Sequence, residues 1–81
     1  MKNTLKIQVT GKDIKNGKRG DCNKCPIALA VGRKTGGWAS VSDDILTLRG
    51  VYSVPEEVNY FTEDFDHGKK VKPFSFVMRI C

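Results

Sequence analysis

Near the C-terminal end of the chain, Phe74, Phe76, Met78 and Ile80 alternate with Ser75, Val77, Arg79 and Cys81. Successive side chains of a strand point to opposite faces, so this pattern calls for a sheet with one face packed on apolar groups. Pro73 stands where the run begins, the place in a strand where a missing amide donor harms the ladder least. Leu5, Ile7 and Val9 repeat the same period against Lys6, Gln8 and Thr10. Both runs are expected to be central strands, with helices laid on one face of their sheet.

Between these runs the period changes. Thr10-Gly11-Lys12-Asp13 reads as a capping box with Asp in the usual Glu or Gln position, opening a short helix anchored by Ile14. Gly17 is its expected stop, in the left-handed conformation that glycine tolerates. Asp21 is expected to cap a second helix, with Pro26 in or near the first turn. Ile27 to Val31 are apolar almost all round, which makes that helix buried, and Gly32 to Gly37 are expected to end it. Trp38 to Val41, Ile45 to Leu48 and Val51-Tyr52 read as short strands, with a turn at Ser42-Asp43-Asp44. Ser53-Val54-Pro55-Glu56 reads as a second capping box. Val58, Phe61 and Phe65 follow at helical spacing, and His67-Gly68 closes the helix.

The result is one α+β domain over residues 1–81, in the order β-α-α-β-β-α-β. A mixed or antiparallel sheet of roughly four or five strands would carry two or three short helices. The expected core is Leu5, Ile7, Val9, Ile27, Leu29, Ala30, Phe61, Phe65, Phe74, Phe76 and Met78. A chain of this size buries only about 60% of its unfolded surface, so a homodimer or higher oligomer would be an easy source of further burial.

Lys and Arg number 14 against 9 Asp and Glu, a formal net charge of +5. This favours an anionic partner, although small domains carry charges of magnitude about 2–8 for solubility alone. The cations form an early cluster, Lys12, Lys15, Lys18, Arg19 and Lys24, and a late one, Lys69, Lys70 and Lys72. Glu56, Glu57, Glu63, Asp64 and Asp66 point to an acidic helix. No apolar run is long enough to cross a membrane, and no signal-peptide core follows Met1, so a cytoplasmic location is expected. Three cysteines are an odd count that argues against a secreted disulfide framework.

The densest chemistry is Lys18-Arg19-Gly20-Asp21-Cys22-Asn23-Lys24-Cys25, ahead of Pro26. Free N–H groups at a helix start attract phosphate or carboxylate, and the helix dipole adds to the attraction. Gly17 and Gly20 would let backbone approach a ligand, while Lys18, Arg19 and Lys24 would add charge. The competing reading is a solvated basic turn in which Asp21 fills the anion position itself. A P-loop is absent. Cys22-x-x-Cys25 could serve zinc or thiol exchange, but a closed zinc site needs four ligands and only Cys81 and His67 remain. The favoured reading makes one cysteine a small core residue and sets the other at the helix start, with no metal or cofactor. Nucleic-acid binding is less favoured, since only Trp38, Tyr52 and Tyr60 are aromatics free to stack. Catalysis finds one histidine at a helix end and acids on a solvated face.

The segments Lys18-Arg19-Gly20-Asp21-Cys22, Cys25-Pro26-Ile27-Ala28-Leu29-Ala30, Phe65-Asp66-His67-Gly68-Lys69 and Val71-Lys72-Pro73-Phe74-Ser75-Phe76 together resemble a family of small uncharacterised proteins of phages and bacterial mobile elements. The resemblance covers nearly the whole chain. It implies an accessory, anti-defence context, acting by blocking a host protein or by sequestering a nucleotide signal. The expected function is therefore a non-enzymatic phage-type protein binding a small anionic ligand at residues 17–25. The alternatives are a protein inhibitor of a host defence factor and a small zinc or thiol protein.

Overall fold

The computed structural model describes residues 4–42 and 44–80, so Asp43 and Cys81 lie outside the described residues. The elements run β1 (Thr4–Val9), α1 (Gly11–Asn16), α2 (Pro26–Thr35), β2 (Ala39–Val41), β3 (Ile45–Thr47), β4 (Gly50–Ser53), α3 (Glu56–Asp66) and β5 (Phe74–Ile80). All five strands join one antiparallel sheet in the order β1-β5-β4-β3-β2. The α+β class and the order of elements agree with the sequence reading, with Val51-Tyr52 forming a third strand between α2 and α3.

Register explains the alternation. Leu5, Ile7 and Val9 stand opposite Met78, Phe76 and Phe74, and this row continues through Tyr52, Ile45, Thr47, Ala39 and Val41. These side chains meet the helices in a single core with Ile27, Val31, Val58, Phe61 and Phe65. The Phe61 and Phe74 rings lie 4.8 Å apart and tie α3 to β5. Lys6, Gln8, Leu46, Val51, Ser75, Val77 and Arg79 occupy the other, exposed face.

Several expectations change. β5 is interior, but β1 is an edge strand, because β5 returns from α3 and inserts between β1 and β4. Period-two burial is the same for an edge and a central strand, so the pattern could not separate them. Tyr52 is buried at 6% exposure and is no stacking surface, whereas Leu5, Leu29 and Phe74 are only half-buried. Helix α2 runs through Gly32 to Thr35 and ends on Gly36, which adopts φ +114°, the left-handed conformation glycine permits. Ser53 caps nothing: it lies in β4, its hydroxyl donates weakly to the Arg79 carbonyl, and Pro55 is the N-cap of α3.

The first capping box forms as expected. Asp13 N–H donates to Thr10 Oγ1 at 3.2 Å, and Thr10 N–H donates to Asp13 Oδ2 at 2.9 Å. Asp13 is also gripped from α2, where Arg33 donates to both carboxylate oxygens at 2.7 and 2.9 Å. The Arg33 guanidinium beside it holds the Asp13 carboxyl below the usual carboxylate range, against the upward push of burial. Among the described residues no buried side-chain polar atom lacks a hydrogen-bond partner.

Candidate functional site

The segment from Gly17 to Cys25 is shaped by backbone bonds and one steric constraint. Gly17 does end α1, but in extended backbone, φ −69° and ψ 151°, not the left-handed conformation expected of it. A side chain is excluded there for another reason: a Cβ would lie 2.5 Å from Pro26 Cδ. The loop closes when Lys18 N–H donates to the Lys24 carbonyl at 2.8 Å. Its tip is Gly20, at φ +69°.

Asp21 does not cap α2. Its carboxylate accepts from Asn23 N–H at 2.9 Å, and its carbonyl accepts from the N–H groups of Lys24 and Cys25 at 3.2 and 3.0 Å. Asp21 therefore organises a turn of its own, four residues ahead of the helix cap. The cap is Cys25, whose Sγ accepts from Ala28 N–H at 3.4 Å. Ile27 N–H also bears on that sulfur and, like Ala28 N–H, favours thiolate, but burial outweighs both and pushes the Cys25 thiol pKa up. Pro26 has no N–H, and Leu29 N–H bonds the Cys25 carbonyl. The helix start therefore offers no free amide cradle. Its donors converge on Cys25, which is buried at 3% exposure and combines the core and helix-start roles that the sequence divided between two cysteines.

Cys22 is exposed. Its thiol donates to Asn23 Oδ1 at 3.1 Å and accepts from Ser40 Oγ at 3.6 Å. The Cys22 carbonyl accepts from Val41 N–H at 2.8 Å, so the loop seals the outer edge of β2. Cys22 and Cys25 share a cavity of about 120 Å³ with Gly20, Asp21, Val41, Thr62 and Asp66. Two carboxylates in so small a space oppose a phosphate. Among the described residues no three His, Cys, Asp or Glu side chains converge as metal ligands, and Cys81 lies outside them. His67 is turned onto its own helix: its Nδ1 is 2.9 Å from the Glu63 carbonyl, so Nδ1 carries the proton.

The loop is fastened to the far end of α3. Gly20 N–H donates to Asp66 Oδ1 at 3.0 Å. The Arg19 guanidinium lies across Gly68, about 3.6 Å from where a Cβ on that glycine would stand. Lys69 and Lys70 follow Gly68 directly, and among the described residues Lys69 makes only a long ion pair of 3.7 Å with Asp64. Arg19 of the early basic cluster thus lies beside Gly68, the residue that precedes Lys69 and Lys70 of the late one. Of the residues expected at the site, Lys18, Arg19 and Lys24 present exposed side chains. Gly20, Asp21, Asn23 and Cys25 build the loop, and Cys22 serves its edge contact. The contact of Arg19 with Gly68 was missed, because no local pattern marks a contact between residues so distant in sequence.

Comparison with known proteins returns no matching family, no matching curated protein and no matching solved structure.

Proposed function

We propose that the chain is a non-enzymatic, phage-type accessory protein that binds a small phosphate-bearing anion, of the class of nucleotide-derived signals, across Lys18, Arg19, Lys24, Lys69 and Lys70. In a host cell such binding would withdraw a signal from the defence that uses it. The observation that supports this reading is the seat of Arg19 on Gly68, which brings a cation of the early cluster beside the start of the late one. The ligand lies over the loop and not in the helix start, whose amides Cys25 already occupies. Exposed cations without a cavity bind phosphate with strong salt dependence, because each is screened by solution ions.

Thermal shift against a nucleotide panel tests the reading. A ligand at 100 times its Kd stabilises the folded state by about 2.7 kcal/mol, which raises the Tm of a domain this small by roughly 10 °C or more. Arg19→Ala should remove most of that shift without lowering the Tm of the unliganded protein. A panel that leaves the wild-type Tm unchanged would refute the reading.

A second reading has its own observation. Leu46 and Val51 face each other across β3 and β4 on the uncovered side of the sheet and are 45% and 38% exposed, with Val77 on the same face at 49%. Apolar groups gathered on an open face favour contact with a protein. That supports an inhibitor of a host factor, which no nucleotide would stabilise.

A further inference from the structure

The two edges of the sheet are treated differently. On the β2 side, Cys22 closes the edge by accepting from Val41 N–H. On the β1 side no strand follows among the described residues, and β1 is among the longer strands of the sheet. The Gln8 carbonyl accepts at 3.1 Å from Arg33 of α2, a donor that reaches it from outside the β1–β5 ladder. In an antiparallel ladder the N–H and C=O of one residue point to the same side, so Gln8 and, two residues away, Lys6 carry their backbone groups outward. A carbonyl has two lone pairs, and Arg33 uses one of those on Gln8.

Beside this edge runs a groove of about 330 Å³ lined by Lys6, Ile7, Gln8, Ala30, Arg33 and Lys34. Lys6 and Lys34 are exposed and enter no ion pair among the described residues. The Asp13 carboxylate beside Arg33 is held by Arg33 and by Thr10 N–H. The groove is therefore an open strand edge bordered by uncompensated positive charge.

We infer that β1 is a docking edge for an extended acidic segment of a partner protein, which pairs as a sixth strand and sets carboxylates against Lys6 and Lys34. Main-chain bonds supply affinity in strand addition, and alternate side chains supply selectivity. The charge argues against a second copy as the occupant, since pairing β1 with β1 would bring Lys6 and Lys34 toward the same cations of the other chain. This edge shares no residue with the Lys18–Lys24 surface, so each can fail without the other.

The probe is a blocked synthetic peptide alternating Glu and Val, titrated into isotope-labelled protein and followed by amide shifts and by calorimetry. The largest shifts are expected at Lys6, Gln8 and Lys34. The variant carrying Lys6→Glu and Lys34→Glu should bind at least about tenfold more weakly, a difference that charge reversal at a contact commonly gives. A peptide alternating Lys and Val should not bind. The inference is overturned if the acidic peptide fails to bind, if its shifts fall at Lys18 to Lys24 and Gly68 to Lys70, or if it drives dimerisation without shifts at β1. Unchanged affinity in the double variant would overturn it too, and should that variant not fold, the wild-type shifts decide.

Discussion

Gly17 packs against the ring of Pro26, with the position of a Cβ only 2.5 Å from Pro26 Cδ. The contact joins the end of α1 to the first residue of α2 and makes the chain between them bulge as the basic loop. It is a steric demand for glycine, unconnected with backbone conformation.

Gly17→Ala should therefore destabilise the fold by about 1–3 kcal/mol, the usual cost of overpacking a close contact. Adding Pro26→Ala should return part of that loss, a coupling that a double-mutant cycle in urea would measure. If the two losses simply add, the ring is not what excludes the side chain.

Asp13 links three segments: its own capping box, α1 and, through Arg33, α2. Asp13→Asn should cost about 1–3 kcal/mol, chiefly because Arg33 and Thr10 N–H lose a charged acceptor. Arg33 is more than half exposed, which keeps the loss toward the lower end. The sign with pH follows from the lowered carboxyl. Its stabilisation is complete above the unfolded value of about 3.9 and disappears as pH falls through the lower folded value. Denaturation from pH 6 down to about 2 should show the wild type approaching Asp13→Asn in stability.

The two central thiols should differ in reactivity. Cys22 is exposed and should alkylate readily, whereas Cys25 is buried, caps α2 and has its pKa raised chiefly by burial. Peptide mapping after iodoacetamide should find Cys25 modified only when the protein is unfolded. The contribution of this thiol is present below its unfolded value of about 8.5 and is lost as pH climbs through the raised folded value. Cys25→Ser, with a stronger acceptor but a more polar group in the core, separates capping from packing: a gain in stability would show that capping dominates.

Met78 is fully buried and sits opposite Leu5 in the ladder that holds the edge strand. Met78→Ala should cost about 2–5 kcal/mol in urea denaturation. Val77→Ala, on the open face of the same strand, should change stability by about 0.5 kcal/mol or less.

Local patterns carried much of the fold. The alternation in β1 and β5, the spacing of Val58, Phe61 and Phe65, and the Thr10–Asp13 box are each read within a few residues, and each is present. What local patterns could not show was choice among competing local partners and contact at long range. Asp21 had both a nearby turn and a helix start within reach, and its acceptors went to the turn. Ser53 was equally placed to cap α3 or to lengthen β4, and pairing with Arg79 prevailed. The exclusion of β1 from the sheet centre, the Arg33–Asp13 pair and the seat of Arg19 on Gly68 all depend on chain segments that meet only after folding.

The central claim is that the early and late basic clusters act as one anion-binding surface. Titrating isotope-labelled protein with the nucleotide that gives the largest thermal shift tests it most directly. Amide shifts should grow together, with one apparent Kd, at Lys18 to Lys24 and at Gly68 to Lys70, and Arg19→Ala should weaken both sets alike. Shifts confined to one cluster, or two sets with different affinities, would contradict the account.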